Sequence, residues 1–580
     1  MISQENTEVL VVGGGVGGTV AALQAARCGI KTVLVSKEIW LGGMLTSAGV
    51  VAPDGNELAA WQTGFWGAYL RELQSRQQGG LNHGWVSMFT YDPRVGSKIF
   101  ADWVNQEKNL TWISGQTPLE VEIQNSRVIG VRFADWDIRA KITIDATELG
   151  DLLALIGNYR WGWELQSEFS EPSAPKSFNE LTFRYPVQAP TWVVLMQDYG
   201  ENAQAPLVPT FLQDNPEMFA GAWENYGAQK FLTYGRLPKD LLMLNWPIHG
   251  NDYGVNLERL VTSDAAKEEF CQEAKWHSQS FARFIQNQLG RRYGLAENVF
   301  PQAESGFALH PYFRESRRLR GIVTLTENEI LPVVGGSVAA LPLTSTGEVS
   351  AIAIGNYPND HHYPGVEFPL QPKSLPWGGR ITGTPFTIPY GCLVPANVEG
   401  LLVAEKNISV SHLANGSTRL QPVVMNIGQA AGMGAALCVK CNCQPQELPV
   451  RELQEALLRD RLAPAAVLPL FNLPPEHPDW LKWQLFYLDN PDAYPLDGNC
   501  PNLTQFQSPL VTGDSYQGTF VQHNQHEYSL QVRDRSWKLV TLRPEVNEQF
   551  LTLASGKLIS LWGNYNPAGD WLVVEKISPS

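Results

Sequence analysis

Three glycines near the N-terminus have the spacing of a phosphate-binding turn. Gly13, Gly15 and Gly18 lie in the stretch "EVLVVGGGVGGTVAAL", directly after an apolar, β-branched run. In this spacing the first glycine permits a tight turn, the second lets a pyrophosphate approach the backbone, and the third lets the next helix pack closely on the strand. Amides at the start of that helix would face the phosphates, assisted by the helix dipole. The stretch therefore predicts a dinucleotide site.

The residues after the second strand bear on which dinucleotide binds. "KTVLVS" ends at Ser36, where an acid usually holds the ribose hydroxyls, and the next residue, Lys37, could attract a ribose phosphate. The first motif alone therefore leaves FAD and NADP both open. A second glycine pair, Gly42 and Gly43 in "KEIWLGGMLTSAG", favours FAD. FAD is longer, and its pyrophosphate and ribitol need another close approach to the backbone.

Basic side chains that could bind an anion or move a proton cluster in "LHPYFRESRRLRG". Arginine forks bind carboxylates and phosphates in a bidentate manner, so His310 and Arg314 are candidate catalytic residues. The same spacing also describes a solvated face with internal salt bridges, and we favour that interpretation of the arginines. His361 and His362 have no third ligand at a supporting spacing and are predicted to lie on a surface loop. "CVKCNC" lacks the second half of a zinc site, so we predict no metal.

Several elements that would position these groups are visible in the sequence. "EVLVV", the helical "GTVAALQAARCG" and "KTVLVS" form a β-turn-α-β unit, and "PLEVEI", "RVIGVRFA" and "KITIDAT" predict further strands. Residues 51–100 look irregular. A long helix is predicted between a Ser-Asp cap at Ser263 and Gly290. Six alternating segments after residue 510, including "EQFLTLA", predict a small β-barrel or sandwich.

Composition bounds the class of protein. The 580 residues carry a formal net charge of −15 and no long basic run, which argues against a nucleic-acid partner. No run of about 18 apolar residues predicts a membrane span. The opening "MISQENT" is too short and polar for a signal peptide, and seven cysteines do not form a disulfide framework, so we expect a cytoplasmic protein. Nothing in the sequence identifies an electron donor or acceptor or the oligomeric state.

Five ordered motifs resemble the FAD-dependent oxidoreductases related to the fumarate reductase and succinate dehydrogenase flavoproteins. They span roughly residues 8–445 and are the following: "VVGGGVGGTVAALQAARCG", "WLGGMLTSAG", "TIDATELGDLLALIG", "FRESRRLRG" and "NISVSHLANGSTRLQPVVMNIGQAAGMGAAL". The resemblance implies an α/β fold in which residues 1–165 and 386–462 form a Rossmann-like FAD-binding domain. An inserted α+β substrate domain would cover 166–385. Outside the resemblance, the many prolines of 463–510 predict a proline-rich linker or an extended wrap and not a packed element, and the alternating segments place the small C-terminal β-barrel or sandwich at 511–580.

The resemblance also assigns roles to individual residues. Gly13, Gly15 and Gly18 would hold the pyrophosphate, and Ser36 and Lys37 would lie by the adenosine ribose. The remaining cofactor-binding residues that it implies are Gly42, Gly43, Met44, Val121, Thr147, Asp151, Asn407, Gly428, Gln429 and Ala430. Val121 would meet adenine through its backbone. The "GQAAG" element from Gly428 would open a helix pointing at the flavin ring.

The substrate side of the resemblance points to His412 and Arg419, because a histidine and an arginine in a comparable stretch of the fumarate reductase relatives face the substrate. Two departures are visible: Ser36 replaces the usual acid, and Glu405 stands where related sequences often have glycine. The predicted function is hydride transfer between a small organic substrate and flavin N5. A flavin monooxygenase that uses NAD(P)H and oxygen is the first alternative, and a non-catalytic FAD-binding protein is the second. No second G-x-G-x-x-G unit supports a separate NAD(P)H domain.

Overall fold

The structure is a computed structural model that describes residues 2–210, 215–301, 306–504, 506 and 513–579. Its first part mixes short strands with helices. The strands up to residue 160 are β1 (Ser3–Asn6), β2 (Val9–Val12), β3 (Thr32–Ser36), β4 (Leu110–Ser114), β5 (Glu120–Gln124), β6 (Arg127–Arg132), β7 (Trp136–Arg139), β8 (Ile142–Asp145) and β9 (Tyr159–Arg160). The helices there are α1 (Val16–Arg27), α2 (Gly64–Arg76), α3 (Pro93–Gln106) and α4 (Asp151–Ile156).

The middle and C-terminal parts contain the other elements. Helices up to residue 289 are α5 (Gln166–Phe169), α6 (Glu180–Arg184), α7 (Ala228–Leu232), α8 (Arg259–Thr262) and α9 (Asp264–Leu289). Strands up to residue 403 are β10 (Val194–Asp198), β11 (Leu241–Leu244), β12 (Tyr293–Leu295), β13 (Arg318–Leu319), β14 (Ala351–Asn356), β15 (Ser374–Trp377), β16 (Arg380–Gly383), β17 (Pro385–Pro389) and β18 (Leu401–Val403). The remaining elements are α10 (His412–Thr418), α11 (Gln421–Cys441), α12 (Val450–Leu458), α13 (Trp480–Asp489), β19 (Asp514–Asn524), β20 (Glu527–Val532), β21 (Arg535–Val540), α14 (Pro544–Thr552), β22 (Leu558–Asn566) and β23 (Trp571–Pro579).

A five-stranded sheet in the order β18-β8-β2-β3-β4 forms the Rossmann-like centre, and all its pairs are parallel. Every residue of β2, β3 and β8 is buried, which explains their continuous apolar runs. The predicted β-turn-α-β unit is confirmed as β2, α1 and β3. In such a sheet ligands bind beyond the carboxyl ends of the strands. The segments that follow β2, β3, β8 and β18 therefore form the edge where a ligand is expected.

Helices α1 and α11 cross at close range because glycines lie at the crossing. A Cβ atom added to Gly428 would lie 2.3 Å from the carbonyl oxygen of Gly17, and one added to Gly432 would lie 2.2 Å from that of Ala21. Helix α11 begins at Gln421, so "GQAAG" lies inside the helix and does not open it. The expectation that Gly428, Gln429 and Ala430 present N-terminal amides to a flavin is therefore wrong. The small size of Gly428 serves the packing of α11 on α1, and the Gln429 side chain accepts from the Phe65 amide and donates to the Ala463 carbonyl.

Replacing Gly428 with alanine should destabilise the protein by about 1–3 kcal/mol, because the new methyl group must displace backbone of α1. Thermal unfolding measures the effect. Gly434 in the same helix is the matched control, since an added Cβ would come no closer than 3.7 Å to Tyr390. Gly434→Ala should be neutral or slightly stabilising through helix propensity. Equal destabilisation by both changes would contradict the packing argument.

The segment 463–510, predicted to be a linker, is largely packed against the main core. It contains α13, and Leu468, Phe471, Trp480 and Tyr487 are buried in the same cluster as the parallel sheet. Its prolines alternate with large apolar side chains, and the burial of those side chains fixes the path of the chain. Residues 505 and 507–510 of this segment lie outside the described residues.

The C-terminal strands close into a barrel in the order β19-β20-β21-β23-β22, which decides between barrel and sandwich. The predicted strand "EQFLTLA" was wrong, since most of it lies in α14. Pro544 occupies the first turn of that helix, and Val546 and Phe550, four residues apart, are buried in the barrel. Spacing of four suits a helix face better than a strand face.

Helix α9 was predicted correctly, whereas the helices within residues 51–100 were not predicted. Helix α9 is confirmed, with the Ser263 hydroxyl accepting from the Ala266 amide and Gly290 following its last residue. Residues 51–100, expected to be irregular, contain α2 and the start of α3. Among the described residues one helix, α11, is long and apolar enough to cross a membrane, but 89% of its most apolar window is buried inside the protein.

Candidate functional site

A cavity of about 1120 Å³, including the space at its mouth, lies beyond the carboxyl ends of β2, β3 and β8. Its lining comes from the glycine turn and the segments after β3 and β8, with a roof from α9 and residues 309–313. The predicted site residues among its lining are Gly13, Gly15, Ser36, Lys37, Gly43, Thr147, Asp151 and His310.

The glycine turn has the backbone that its spacing predicts. Gly13 has a φ of +114°, and an added Cβ would lie 2.1 Å from the carbonyl oxygen of Ala146. An added Cβ at Gly18 would lie 2.0 Å from the carbonyl oxygen of Gly13. Both positions therefore require glycine, the first for the turn and the third for the approach of α1 to β2. Gly13 and Gly15 face the cavity, whereas Gly18 is buried behind the turn.

The expected adenosine end is formed by Ser36, Lys37 and residues 116–118. Ser36 lines the cavity, but its hydroxyl already donates to the Glu38 carbonyl and accepts from Trp112 Nε1 at 2.9 Å. Lys37 is exposed, and Lys267 of α9 lines the same cavity. Val121 lies within β5, paired with Val131, and is not among the cavity-lining residues. Lysine charge rather than the Ser36 hydroxyl is therefore available to a ligand here.

The two glycines of the second pair, Gly42 and Gly43, have different roles. Gly42 has a φ of +100°, and an added Cβ would lie 2.4 Å from the Phe100 ring, so this residue is needed for packing. Its amide donates to the Gly14 carbonyl at 2.9 Å, which ties the two glycine turns together. Gly43 faces the cavity, whereas Met44 is fully buried in the core.

Behind the cavity, the end of β8 is fixed by a buried carboxylate. Asp145 accepts hydrogen bonds from the Thr147 amide and hydroxyl and from the Leu153 amide. Burial raises the pKa of Asp145 to about 6 against these lowering hydrogen bonds. The Asn407 amide group donates to the Asp145 carbonyl at 3.1 Å and so links β8 to the segment after β18. Asn407 thus positions the cavity wall without lining it.

Two glutamates and a lysine meet beside the glycine turn. Glu405 Oε1 accepts from the Gly17 amide at 2.8 Å, in the first turn of α1. Lys406 Nζ lies 2.6 Å from Glu148 Oε2 and 3.1 Å from Glu405 Oε2. Burial alone would lower the pKa of Lys406, but the two carboxylates outweigh it and raise that pKa. Sequence reasoning noticed Glu405 as unusual but missed Glu148, whose position follows only from the fold.

His310 lines the cavity and is held by neighbours on both sides of its ring. Its Nδ1 lies 2.9 Å from the Pro311 carbonyl oxygen, an acceptor only, so Nδ1 carries the proton. Its Nε2 lies 3.0 Å from Ser47 Oγ, which also lines the cavity and lies 3.4 Å from the Gly43 carbonyl oxygen. Nε2 is therefore a proton acceptor that faces the same cavity as the glycine turn.

Arg314 and Arg419 do not line this cavity but lie in one ionic chain whose members are buried or nearly so, except for the partly exposed Asp360. Arg314 pairs with Asp252, Asp252 with His362, His362 with Asp360, and Asp360 with Arg419, at distances from 2.6 to 3.0 Å. Burial alone would raise the pKa of Asp252, but Arg314 and His362 lower it to about 2. His362, with a side chain only 11% exposed, therefore belongs to this ionic chain, and its expected place on a surface loop was wrong.

The expectation of a solvated arginine face was also wrong. Arg314, Arg317 and Arg318 are all buried, and of the four arginines in the motif only Arg320 is exposed. Arg318 pairs with Glu164 at 3.0 Å and with Glu315 at 3.3 Å. Charged groups in the interior need such partners, so the high density of charge in this motif reflects a buried network.

His412 belongs to that network and not to the cavity. It is 1% exposed, its Nδ1 donates to Glu315 Oε1 at 2.9 Å, and its Nε2 lies 2.6 Å from the Tyr363 hydroxyl. Its ring packs against Trp163 with centroids 4.0 Å apart. The structure therefore brings His310, not His412, to the glycine turn.

The sequence of this chain matches the model of one protein family, FAD dependent oxidoreductase, over residues 8–457. The chain belongs to this family. The cofactor of this oxidoreductase is therefore FAD, as the resemblance predicted. None of the curated proteins matches it.

This oxidoreductase is distantly similar to several proteins of known structure. A geranylgeranyl bacteriochlorophyll reductase-like protein from Thermoplasma acidophilum is 12% identical, with 79% of this chain and 84% of that chain covered and a TM-score of 0.34. L-proline dehydrogenase from P. horikoshii is 17% identical over 29% of this chain and 26% of that chain, at a TM-score of 0.16. p-Nitrophenol 4-monooxygenase from Pseudomonas putida is 14% identical, with 34% of this chain and 48% of that chain covered and a TM-score of 0.23. The oxidoreductase thus spans less than half the length of the last two.

The cavity of the oxidoreductase fits FAD in its position at the glycine turn and in the backbone that lines it. The glycine turn, the amide end of α1 and the lysines beside Ser36 are the donor set that a pyrophosphate and adenosine require. One feature differs from that set: Glu148 Oε1 is buried and has no hydrogen-bond partner among the described residues. It lies close enough to Gly43 that an added Cβ there would be 2.8 Å away.

Proposed function

We propose that this oxidoreductase transfers a hydride between a small organic substrate and N5 of FAD, with His310 holding or taking the substrate proton. The observation that carries the proposal is the Ser47–His310 pair, 3.0 Å apart, on the wall of the cavity that contains the glycine turn. FAD supplies the hydride acceptor or donor when it is bound. Gly13, Gly15 and Gly43 would hold it through their backbone.

The arrangement of His310 suits proton transfer. Because the Pro311 carbonyl fixes the proton on Nδ1, the lone pair of Nε2 stays in the cavity. The Ser47 hydroxyl donates to that lone pair, and it can turn towards the Gly43 carbonyl when a substrate proton needs the nitrogen. A histidine in such a place typically contributes about 10²–10⁴-fold to a rate.

The side of the cavity near His310 is largely apolar. Trp40, Trp192, Leu309 and Phe313 contribute to its lining. Such a surface excludes water from a reacting pair and provides flat contacts for a planar ligand. A small substrate with an ionisable or polar group would place that group at His310 and Ser47, the polar pair at this end.

The first experiment is to purify the protein with FAD and mix it anaerobically with amines, alcohols and hydroxy acids. We expect the flavin absorbance to bleach with one of these classes and no NAD(P)H to be needed. Reduction by NAD(P)H alone, followed by a hydroxylated product when oxygen is admitted, would instead identify a monooxygenase. A bound flavin that no member of the panel reduces, and that after chemical reduction no imine, carbonyl compound or unsaturated acid reoxidises anaerobically, would contradict the proposal.

A further inference from the structure

Two carboxylates lie at the start of α1, where a dinucleotide phosphate is expected. Glu405 Oε1 takes the Gly17 amide, and a Cβ added to Gly15 would lie 2.5 Å from that oxygen. The same Cβ would lie 3.2 Å from Glu148 Oε1. Glu148 reaches this point from the end of β8 and Glu405 from the end of β18, so both acids flank the space between Gly15 and Gly43.

The charges of this group oppose a phosphate. Two carboxylates and the Lys406 ammonium sum to one negative charge when all are ionised. The amide end of α1 attracts anions, and the Glu405 carboxylate already occupies it. A pyrophosphate brought to the same amides would meet Glu405 and the unpartnered Glu148 Oε1 at short range. Like charges that close cannot both remain in a buried site without a large cost.

We propose that Glu148 and Glu405 compete with the FAD phosphates for the amide end of α1. FAD binding then requires a carboxylate to gain a proton or to move aside, and Lys406 is freed to pair with a phosphate. The inference rests on the FAD cofactor of the family and not on hydride transfer.

The sign of the pH dependence follows from the groups that face Glu405. Among the described residues these are Lys406, Glu148 and the amide of Gly17. Burial raises the pKa of Glu405 to about 6, although Lys406 and Gly17 lower it. A bound phosphate would raise that pKa further, so binding takes up a proton. Affinity for FAD should be highest below about pH 6 and should fall by at most about tenfold for each pH unit above it.

The test is the Kd of the apoprotein for FAD, measured by flavin fluorescence between about pH 5 and pH 8. Glu405→Gln and Glu148→Gln each keep the shape and remove one charge. We expect either change to tighten binding by about tenfold or more at the upper end of this range, which corresponds to one pKa unit, and to flatten the pH dependence. Glu452→Gln, at an exposed position on α12, is the control for net charge.

Two further measurements separate the causes. Riboflavin lacks phosphates, so its binding should gain nothing from either substitution. Thermal unfolding of each variant shows whether the fold is kept. A wild-type Kd that does not change with pH, or glutamine variants that bind FAD no more tightly than Glu452→Gln, would overturn the proposal. The binding measurement contains no substrate. If FAD binds with the expected pH dependence but exchanges no hydride with any substrate tested, this inference stands and only the proposed hydride transfer fails.

Discussion

Replacing His310 with asparagine is expected to slow the reduction of bound flavin by about 10²–10⁴-fold while FAD remains bound. Asparagine keeps a polar group near Ser47 but cannot accept the substrate proton. The backbone of Gly13 to Gly15, which would hold the cofactor, is untouched, so the Kd for FAD should change little. The measurement is the rate constant for anaerobic bleaching of the flavin absorbance with the substrate that the panel identifies.

Two matched variants make this result specific. His412→Asn alters a histidine of the buried network and should lower stability while the rate per bound flavin stays within a few-fold of wild type. His249→Asn alters an exposed histidine at a φ of +45°, which asparagine tolerates, and should change neither quantity. If His412→Asn slows the chemistry and His310→Asn does not, the catalytic role belongs to the network and the assignment made from the cavity is wrong.

The second large effect concerns stability. Arg318→Met should cost about 3–5 kcal/mol in the free energy of unfolding, because Glu164 and Glu315 would be left buried without their shared guanidinium. Both acids also contact His412, so the loss should spread to α10. Denaturant unfolding measures the cost, and the protein with FAD bound shows whether the cofactor restores it.

Arg320 supplies the control for that experiment. It belongs to the same motif and is exposed. Among the described residues, its side chain makes one hydrogen bond, to the Tyr159 carbonyl. Arg320→Met should therefore change the free energy of unfolding by no more than about 0.5 kcal/mol. Similar losses of unfolding free energy for both variants would show that the motif stabilises the protein through its surface charge and not through its buried ion pairs.

Local signals allowed the central elements to be predicted. The order of strand, glycine turn and helix needs about 30 neighbouring residues, and each glycine has a steric reason to be there. Helix α9 could be placed because Ser263 and Gly290 mark its ends chemically. The alternation of apolar and polar residues was enough to predict the barrel strands, but it misassigned α14 as a strand. Only the four-residue spacing of Val546 and Phe550 indicates a helix face there.

Other parts of the site could not be predicted because they depend on contacts between distant residues. Glu148 and Glu405 are 257 positions apart, and only the parallel pairing of β8 with β18 brings their side chains to one point. The burial of Arg318 follows from the position of Glu164, which no spacing rule connects to it. The role of "GQAAG" was predicted wrongly for a similar reason. Its glycines are needed because they pack against α1, and that contact is not visible in the sequence.

The pairing of β8 with β18 has a consequence for biosynthesis. Residues 401–403 complete the edge of a sheet whose other strands lie before residue 115 or at 142–145. A ribosome that has made only the first third of the chain has therefore released α1 without α11, leaving its apolar face uncovered. We expect the nucleotide cavity to mature late in translation, with chaperones shielding that helix until the C-terminal half arrives.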